Sequence, residues 1–223
     1  MSTIPVALPA GATPVTIAWS APASPTAVVA LAHGAGAGMD HPFLAGFADA
    51  LREAGVACLR FNFPYVEAGR RMPGPAAHAA ATWEAVLAET GRQLPGIPAV
   101  AAGKSYGGRM ASMAASEGRI DPSALVYLGY PLHPPGDPLK VRAAHLPAIA
   151  APQLFVEGSK DPFIQPLTQF DEVVASCRDA EVFWIDGGGH SFEVAGAKRP
   201  AAEVGARLAA PVVAWLGRRL SSA

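Results

Sequence analysis

Ser105 stands in the run Gly103-Lys104-Ser105-Tyr106-Gly107, after the apolar stretch Val100-Ala101-Ala102 and ahead of a helical pattern. A serine hydroxyl is a weak nucleophile until a base takes its proton, so it needs a histidine, an acid and an oxyanion site brought to it. Glycine on either side lets a strand turn sharply into a helix, because a β-carbon there would crowd the backbone or the adjacent strands. Such a turn forces strained dihedrals on the serine and lifts its hydroxyl above the sheet edge. The Tyr106 N–H would then lie at a helix N-terminus, where developing negative charge is favoured.

Three further features could complete this chemistry. Upstream, the apolar run Ala27-Val28-Val29-Ala30-Leu31-Ala32 leads into His33-Gly34-Ala35-Gly36-Ala37-Gly38. A small-residue loop of this type supplies a second oxyanion N–H; Ala35 is the expected donor, with Gly36 as the alternative. A phosphate-binding loop is disfavoured: the segment lacks G-x-G-x-x-G spacing, and the glycine needed five residues before Gly103 is Pro98. Downstream, Gln153 to Gly158 reads as a strand, followed by Asp161-Pro162. An aspartate there can hold a histidine tautomer, or merely cap a helix; Asp186 is its rival as the acid. After the strand Glu181 to Ile185, three glycines precede His190, the one histidine that follows Asp161 in the chain.

The remaining histidines carry weaker signals. His33 is expected to brace its loop, and His41 to sit exposed at a helix start. His78, His133 and His145 have no metal-ligand spacing, so neither metal nor other cofactor is expected. The loop from Pro64 to Pro75 carries Arg70 and Arg71 beside aromatics. It reads either as a solvated surface loop or as an anion-sensing rim over the site.

These residues need a scaffold that gathers them, and the periodicity supplies one. Strands are expected at Pro14–Ser20, Ala27–Ala32, Val56–Phe63, Pro98–Ala102, Ala124–Gly129, Gln153–Gly158 and Glu181–Ile185. Helices are expected after Asp40, which reads as an N-cap, and at Ala76–Thr90, after Ser105, at Ile164–Ser176 and from about Ala201 to Leu220. Strands alternating with helices argue an α/β fold with a mostly parallel central sheet and helices on both faces. Active groups would gather beyond the carboxyl ends of the strands. The stretch between Tyr130 and Gln153 is short and proline-rich, leaving no room for a large cap.

The bulk numbers narrow the function. At 223 residues the chain is expected to form a single domain over 1–223. A net charge of −1 removes any electrostatic case for nucleic acid, and no run of about 18 apolar residues suggests a membrane span. The N-terminus has no basic segment leading an apolar core. Cys58 and Cys177 lie far apart and outside any C-x-x-C pair, so reduced thiols in a cytoplasmic protein are expected. The expected partner is a small-molecule ester or acyl substrate, with self-association left open.

With these groups assembled, the chain resembles the α/β-hydrolase superfamily over nearly its full length, most of all its small, cap-poor branch that includes dienelactone hydrolases. More narrowly it resembles the testis-expressed/KANSL-type hydrolase-like domains. The residues that carry this are His33 to Pro42, Arg60-Phe61-Asn62-Phe63-Pro64-Tyr65, Gly69-Arg70-Arg71, Gly103 to Ser112, Gly129 to Gly136 and Asp161-Pro162-Phe163. The resemblance implies Ser105, Asp161 and His190 as a triad and an α/β-hydrolase fold, but no particular substrate. Dienelactone hydrolases usually carry cysteine as nucleophile, and this chain has serine. Lys104 beside the nucleophile is also unusual and needs a partner, with Glu157 and Asp161 as the candidates. The expected activity is that of a serine esterase or thioesterase. A non-catalytic scaffold and a cofactor-free lyase or haloperoxidase on the same residues are the alternatives.

Overall fold

Alternating apolar residues make each central strand a two-sided wall. In β3 (Val28–Ala32) Ala30 faces one core while Val29 and Leu31 face the other; in β6 (Ala124–Leu128) Leu125 and Tyr127 oppose Ala124, Val126 and Leu128. Both faces must therefore be covered, and helices cover both. The computed structural model describes residues 1–220. One sheet runs through it, in the order β1-β2-β4-β3-β5-β6-β7-β8. β1 (Ser2–Leu8) and β2 (Gly11–Ser20) pair antiparallel, as do β2 and β4 (Ala57–Phe61). The pairs from β4 through β3, β5 (Ala99–Lys104), β6, β7 (Gln153–Gly158) and β8 (Ala180–Ile185) are parallel.

α3 (Ala76–Gln93) and α4 (Tyr106–Ser116) lie on one face, with Trp83, Val86 and Met110 in its core. α1 (Pro42–Glu53) and α6 (Ala201–Leu220) cover the other with Phe47, Leu51, Leu208 and Trp215. A four-residue α2 (Pro64–Glu67) follows β4, and α5 (Leu167–Ser176) packs Phe170 beside β8. The segment between β6 and β7 holds one short 3-10 turn, Leu146–Ala148. α1 and α6 meet at backbone distance. A β-carbon on Gly46 would overlap the Ala202 carbonyl, and one on Gly205 the Phe43 carbonyl.

Four local expectations are corrected. β1 is present although Pro5 and Pro9 obscure it in sequence; as the edge strand, it can hold a proline without losing a ladder bond inside the sheet. Asp40 does not cap α1. His41 takes that role, its Nδ1 accepting from the Phe43 N–H at 3.3 Å, while Asp40 pairs with Arg60 at 3.5 Å. β4 stops at Phe61, because Asn62 accepts from Met39 N–H and donates to Glu67, and Pro64 starts α2. The helix expected from Ile164 begins at Leu167, just after Pro166.

Candidate active site

The β5–α4 turn sets the first coordinate of the site. Ser105 has φ 49° and ψ −112°, a conformation that costs a non-glycine residue about 1–3 kcal/mol. Close packing enforces it. A β-carbon on Gly103 would overlap the Gly108 backbone, one on Gly107 would sit 2.6 Å from the His33 carbonyl, and one on Gly108 2.6 Å from the Gly103 carbonyl. The three glycines thus let helix, strand and the upstream loop touch through bare backbone, and the serine absorbs the strain.

Two loops at the carboxyl ends of β7 and β8 complete a hydrogen-bonded line. Asp161 is fully buried; its Oδ1 accepts from Phe163 N–H at 2.8 Å and its Oδ2 lies 2.6 Å from His190 Nδ1. His190 Nε2 lies 2.9 Å from Ser105 Oγ. With Nδ1–H donating to the carboxylate, Nε2 is left to accept the serine proton. The loops are tied to one another. Lys160 N–H donates to Gly188 O at 2.9 Å, and a β-carbon on Gly158 would overlap Gly188. Phe163 stacks on the imidazole at 4.1 Å between centroids. Burial pulls the His190 pKa down, the Asp161 hydrogen bond pulls it up, and the Lys104 charge adds to the lowering. Asp186, the rival acid, is exposed and accepts from Ser159 Oγ at 3.3 Å, away from His190.

Lys104 makes no ion pair with either expected partner. Its Nζ donates to the His190 carbonyl at 2.7 Å and sits over the Phe192 ring, 5.4 Å from the centroid. Burial lowers its pKa to about 8 against the pull of Glu157, Asp161 and Glu193. Glu157, buried below, accepts from Tyr130 N–H through Oε1, and desolvation pushes its carboxyl well above the ordinary range. The ammonium therefore fixes the histidine loop by its main chain.

The upstream loop is braced as expected. His33 Nδ1–H donates to Gly34 O at 2.8 Å and Nε2 accepts from Phe63 N–H at 3.2 Å, an arrangement that requires the neutral ring. Burial lowers its pKa accordingly. Ala35 and Tyr106 both line the cavity that opens over Ser105, of about 660 Å³. Arg70 and Arg71 do not. Both are exposed, and Arg70 lines a separate cavity of about 220 Å³ beside Tyr65 and His78.

The main cavity has lining residues that sequence reasoning did not assign to the site. Phe43, Leu44 and Val204 make an apolar wall, and Arg109 and Arg142 contribute positive charge. Arg109 had a readable signal: it follows Ser105 by four residues on a helix, which puts it on the same face one turn on. Arg142 had none, since it comes from the irregular segment after β6.

The arrangement can activate a serine hydroxyl with a half-buried, acid-oriented imidazole. An α/β-hydrolase domain family model matches residues 25–214. Solved structures similar to this chain include an α/β serine hydrolase homologue from Coxiella burnetii: 20% identity, 97% of this chain and 98% of that one, TM-score 0.74. A dienelactone hydrolase from Anabaena variabilis is 20% identical over 97% and 96%, TM-score 0.74. An α/β serine hydrolase without lid from Xanthomonas campestris is 21% identical over 96% and 94%, TM-score 0.70. At these identities the likeness shows a common fold, and the family match extends over most of the sequence. The chain belongs to the α/β-hydrolase domain family.

Proposed function

We propose that the protein is a serine hydrolase of carboxylesterase or thioesterase type, with Ser105 as nucleophile, His190 as general base and Asp161 as the acid that orients it. The observation that carries this reading is the unbroken line from Asp161 Oδ2 through the imidazole to Ser105 Oγ, at 2.6 and 2.9 Å. His190 takes the Ser105 proton as Oγ attacks the carbonyl carbon. Asp161 stabilises the imidazolium, and the Tyr106 and Ala35 N–H groups receive the oxyanion. The imidazolium then gives its proton to the departing alcohol or thiol. In the second half, His190 activates water, which attacks the acyl-enzyme and frees Ser105.

An open, lidless site beside an apolar wall suits small esters and acyl-thioesters. Ser105 in place of cysteine points away from the dienelactone hydrolase activity itself. The runs Gly103 to Ser112 and Gly129 to Gly136 support a place near the testis-expressed/KANSL-type domains. Two unpaired cysteines favour a cytoplasmic setting. The test is a fluorophosphonate probe with p-nitrophenyl ester and acyl-thioester panels. Wild type is expected to label at Ser105 and turn over at least one panel. Ser105→Ala should lose labelling and about 10⁶-fold in turnover while unfolding at the wild-type temperature. A folded Ser105→Ala protein with wild-type turnover would overturn the assignment.

A further inference from the structure

Most arginines on this molecule that approach a neighbour do so through a carboxylate. Arg92 pairs with Glu89, Arg119 with Glu84, Arg199 with Glu203 and Arg219 with Asp179 and Glu181. Arg109 and Arg142 differ. Both line the cavity over Ser105, and among the described residues neither has a carboxylate within ion-pair distance. The Arg109 Nε–H is buried and has no acceptor. A buried charged donor without a protein acceptor costs stability unless a water or a ligand supplies the missing atom.

The two cations also repel. Burial and the Arg142 charge both hold the Arg109 pKa below its ordinary value, and the Arg109 charge in turn adds to the lowering of His145 to about 4. His145 Nε2 is engaged with Ser112 Oγ at 2.7 Å, and neither guanidinium makes a hydrogen bond to its ring among the described residues. An anion between the guanidinium groups would relieve the repulsion. The frame is already set. Arg109 is one turn along α4 from Ser105. The Arg142 backbone is held by its N–H to Leu132 O at 2.7 Å and by Tyr130 O–H to its carbonyl at 2.8 Å.

Resting on the hydrolase reading above, we propose that Arg109 and Arg142 form a carboxylate-binding subsite, so that the substrate is an ester or thioester carrying a second, free carboxylate. A planar carboxylate can face the Arg109 guanidinium and take a second contact from Arg142, geometry that a guanidinium fork favours. The apolar wall of Phe43, Leu44 and Val204 takes the aliphatic stem. The class is a half-ester or half-thioester of a short dicarboxylic acid, or an ester of a hydroxy acid.

The experiment compares p-nitrophenyl hemiglutarate with p-nitrophenyl valerate, matched in chain length, for wild type, Arg109→Gln and Arg142→Gln. Fluorophosphonate labelling of Ser105 and thermal unfolding are followed for each. Wild type is expected to favour the carboxylate ester in kcat/KM. The ratio of the two esters should fall about tenfold or more in each variant, mainly through KM of the anionic one. Free glutarate should compete with the neutral ester in wild type and lose that competition in Arg142→Gln. Arg142 lies on a loop, so its variant keeps the test alive if Arg109→Gln fails to fold. Labelling and neutral-ester turnover without carboxylate preference, or a ratio unchanged in a folded variant, overturns the subsite alone. Wild type that neither labels nor turns over either ester overturns the hydrolase reading, and this inference with it.

Discussion

The exits of β4 and β5, the parallel strands on either side of β3, show how differently one sheet edge can receive residues. Leaving β5, the chain turns at once into α4 and presents Ser105 next to His190, because three glycines let backbone pack on backbone. Leaving β4, it enters α2, and Glu67 Oε1 then accepts from Thr16 N–H at 2.8 Å and from Asn62 Nδ2 at 3.0 Å. Those bonds draw the segment toward β2, so Arg70 arrives over a different, smaller cavity and neither Arg70 nor Arg71 lines the one over Ser105. The carboxyl end of a strand aims the first residue or two; beyond that, local hydrogen bonds decide the direction.

The sharpest test of this contrast concerns the residues fixed by the tight exits. Asp161→Asn is expected to lower kcat/KM by about 10⁴, because the imidazole loses the tautomer that leaves Nε2 free. Asp186→Asn, on an exposed side chain that touches Ser159, should stay within about threefold on the same ester. The reverse ranking would move the acid to Asp186.

Glycine substitution probes the two exits directly. Gly107→Ala should cost about 3 kcal/mol or more in urea unfolding, since its β-carbon meets the His33 backbone. Gly74→Ala, where the nearest atom is His78 Nδ1 at 3.8 Å, should be neutral or slightly stabilising. Equal effects at the two positions would remove the packing argument.

The pH profile reads the buried side of the comparison. General-base action needs neutral His190, and its pKa is held below 6.5, chiefly by burial. Turnover should therefore rise with pH along a limb centred below 6.5 and be lost as pH falls through it. Lys104→Met removes one charge that lowers this pKa, so the limb should move upward. A downward move would contradict the electrostatic reading. The smallest effect is expected on the open side. The Arg70→Ala/Arg71→Ala double variant should keep kcat/KM within about twofold on both neutral and carboxylate esters, with unchanged melting temperature. A selective loss on the anionic ester would return the loop to the site.

What sequence could reveal follows the same division. Ser105, Asp161 and His190 were readable because each follows an apolar strand at short range, in the chain order that the α/β-hydrolase resemblance implies. α6 was readable because its apolar stripe spans its length. β1 was hidden because alternation over seven residues is a short signal and Pro5 interrupts it. The N-cap was misplaced by one residue because a histidine nitrogen can do what an aspartate oxygen usually does. Lys104 could not be assigned a partner, since that partner is a main-chain carbonyl, which has no sequence signature. Arg142 escaped notice because nothing in an irregular segment foretells which way its side chain points.

The bare-backbone contact between α1 and α6 has a consequence for biosynthesis. One wall of the cavity joins Phe43 and Leu44 to Val204, held together where Gly46 and Gly205 admit the opposing chain. A polypeptide emerging from the ribosome exposes Ser105, Asp161 and His190 before α6 exists. Until that helix docks, the apolar wall has only its α1 half, and the cavity lacks the side that Val204 lines. A nascent chain holding the three proposed catalytic groups is thus expected to turn over esters poorly until α6 docks.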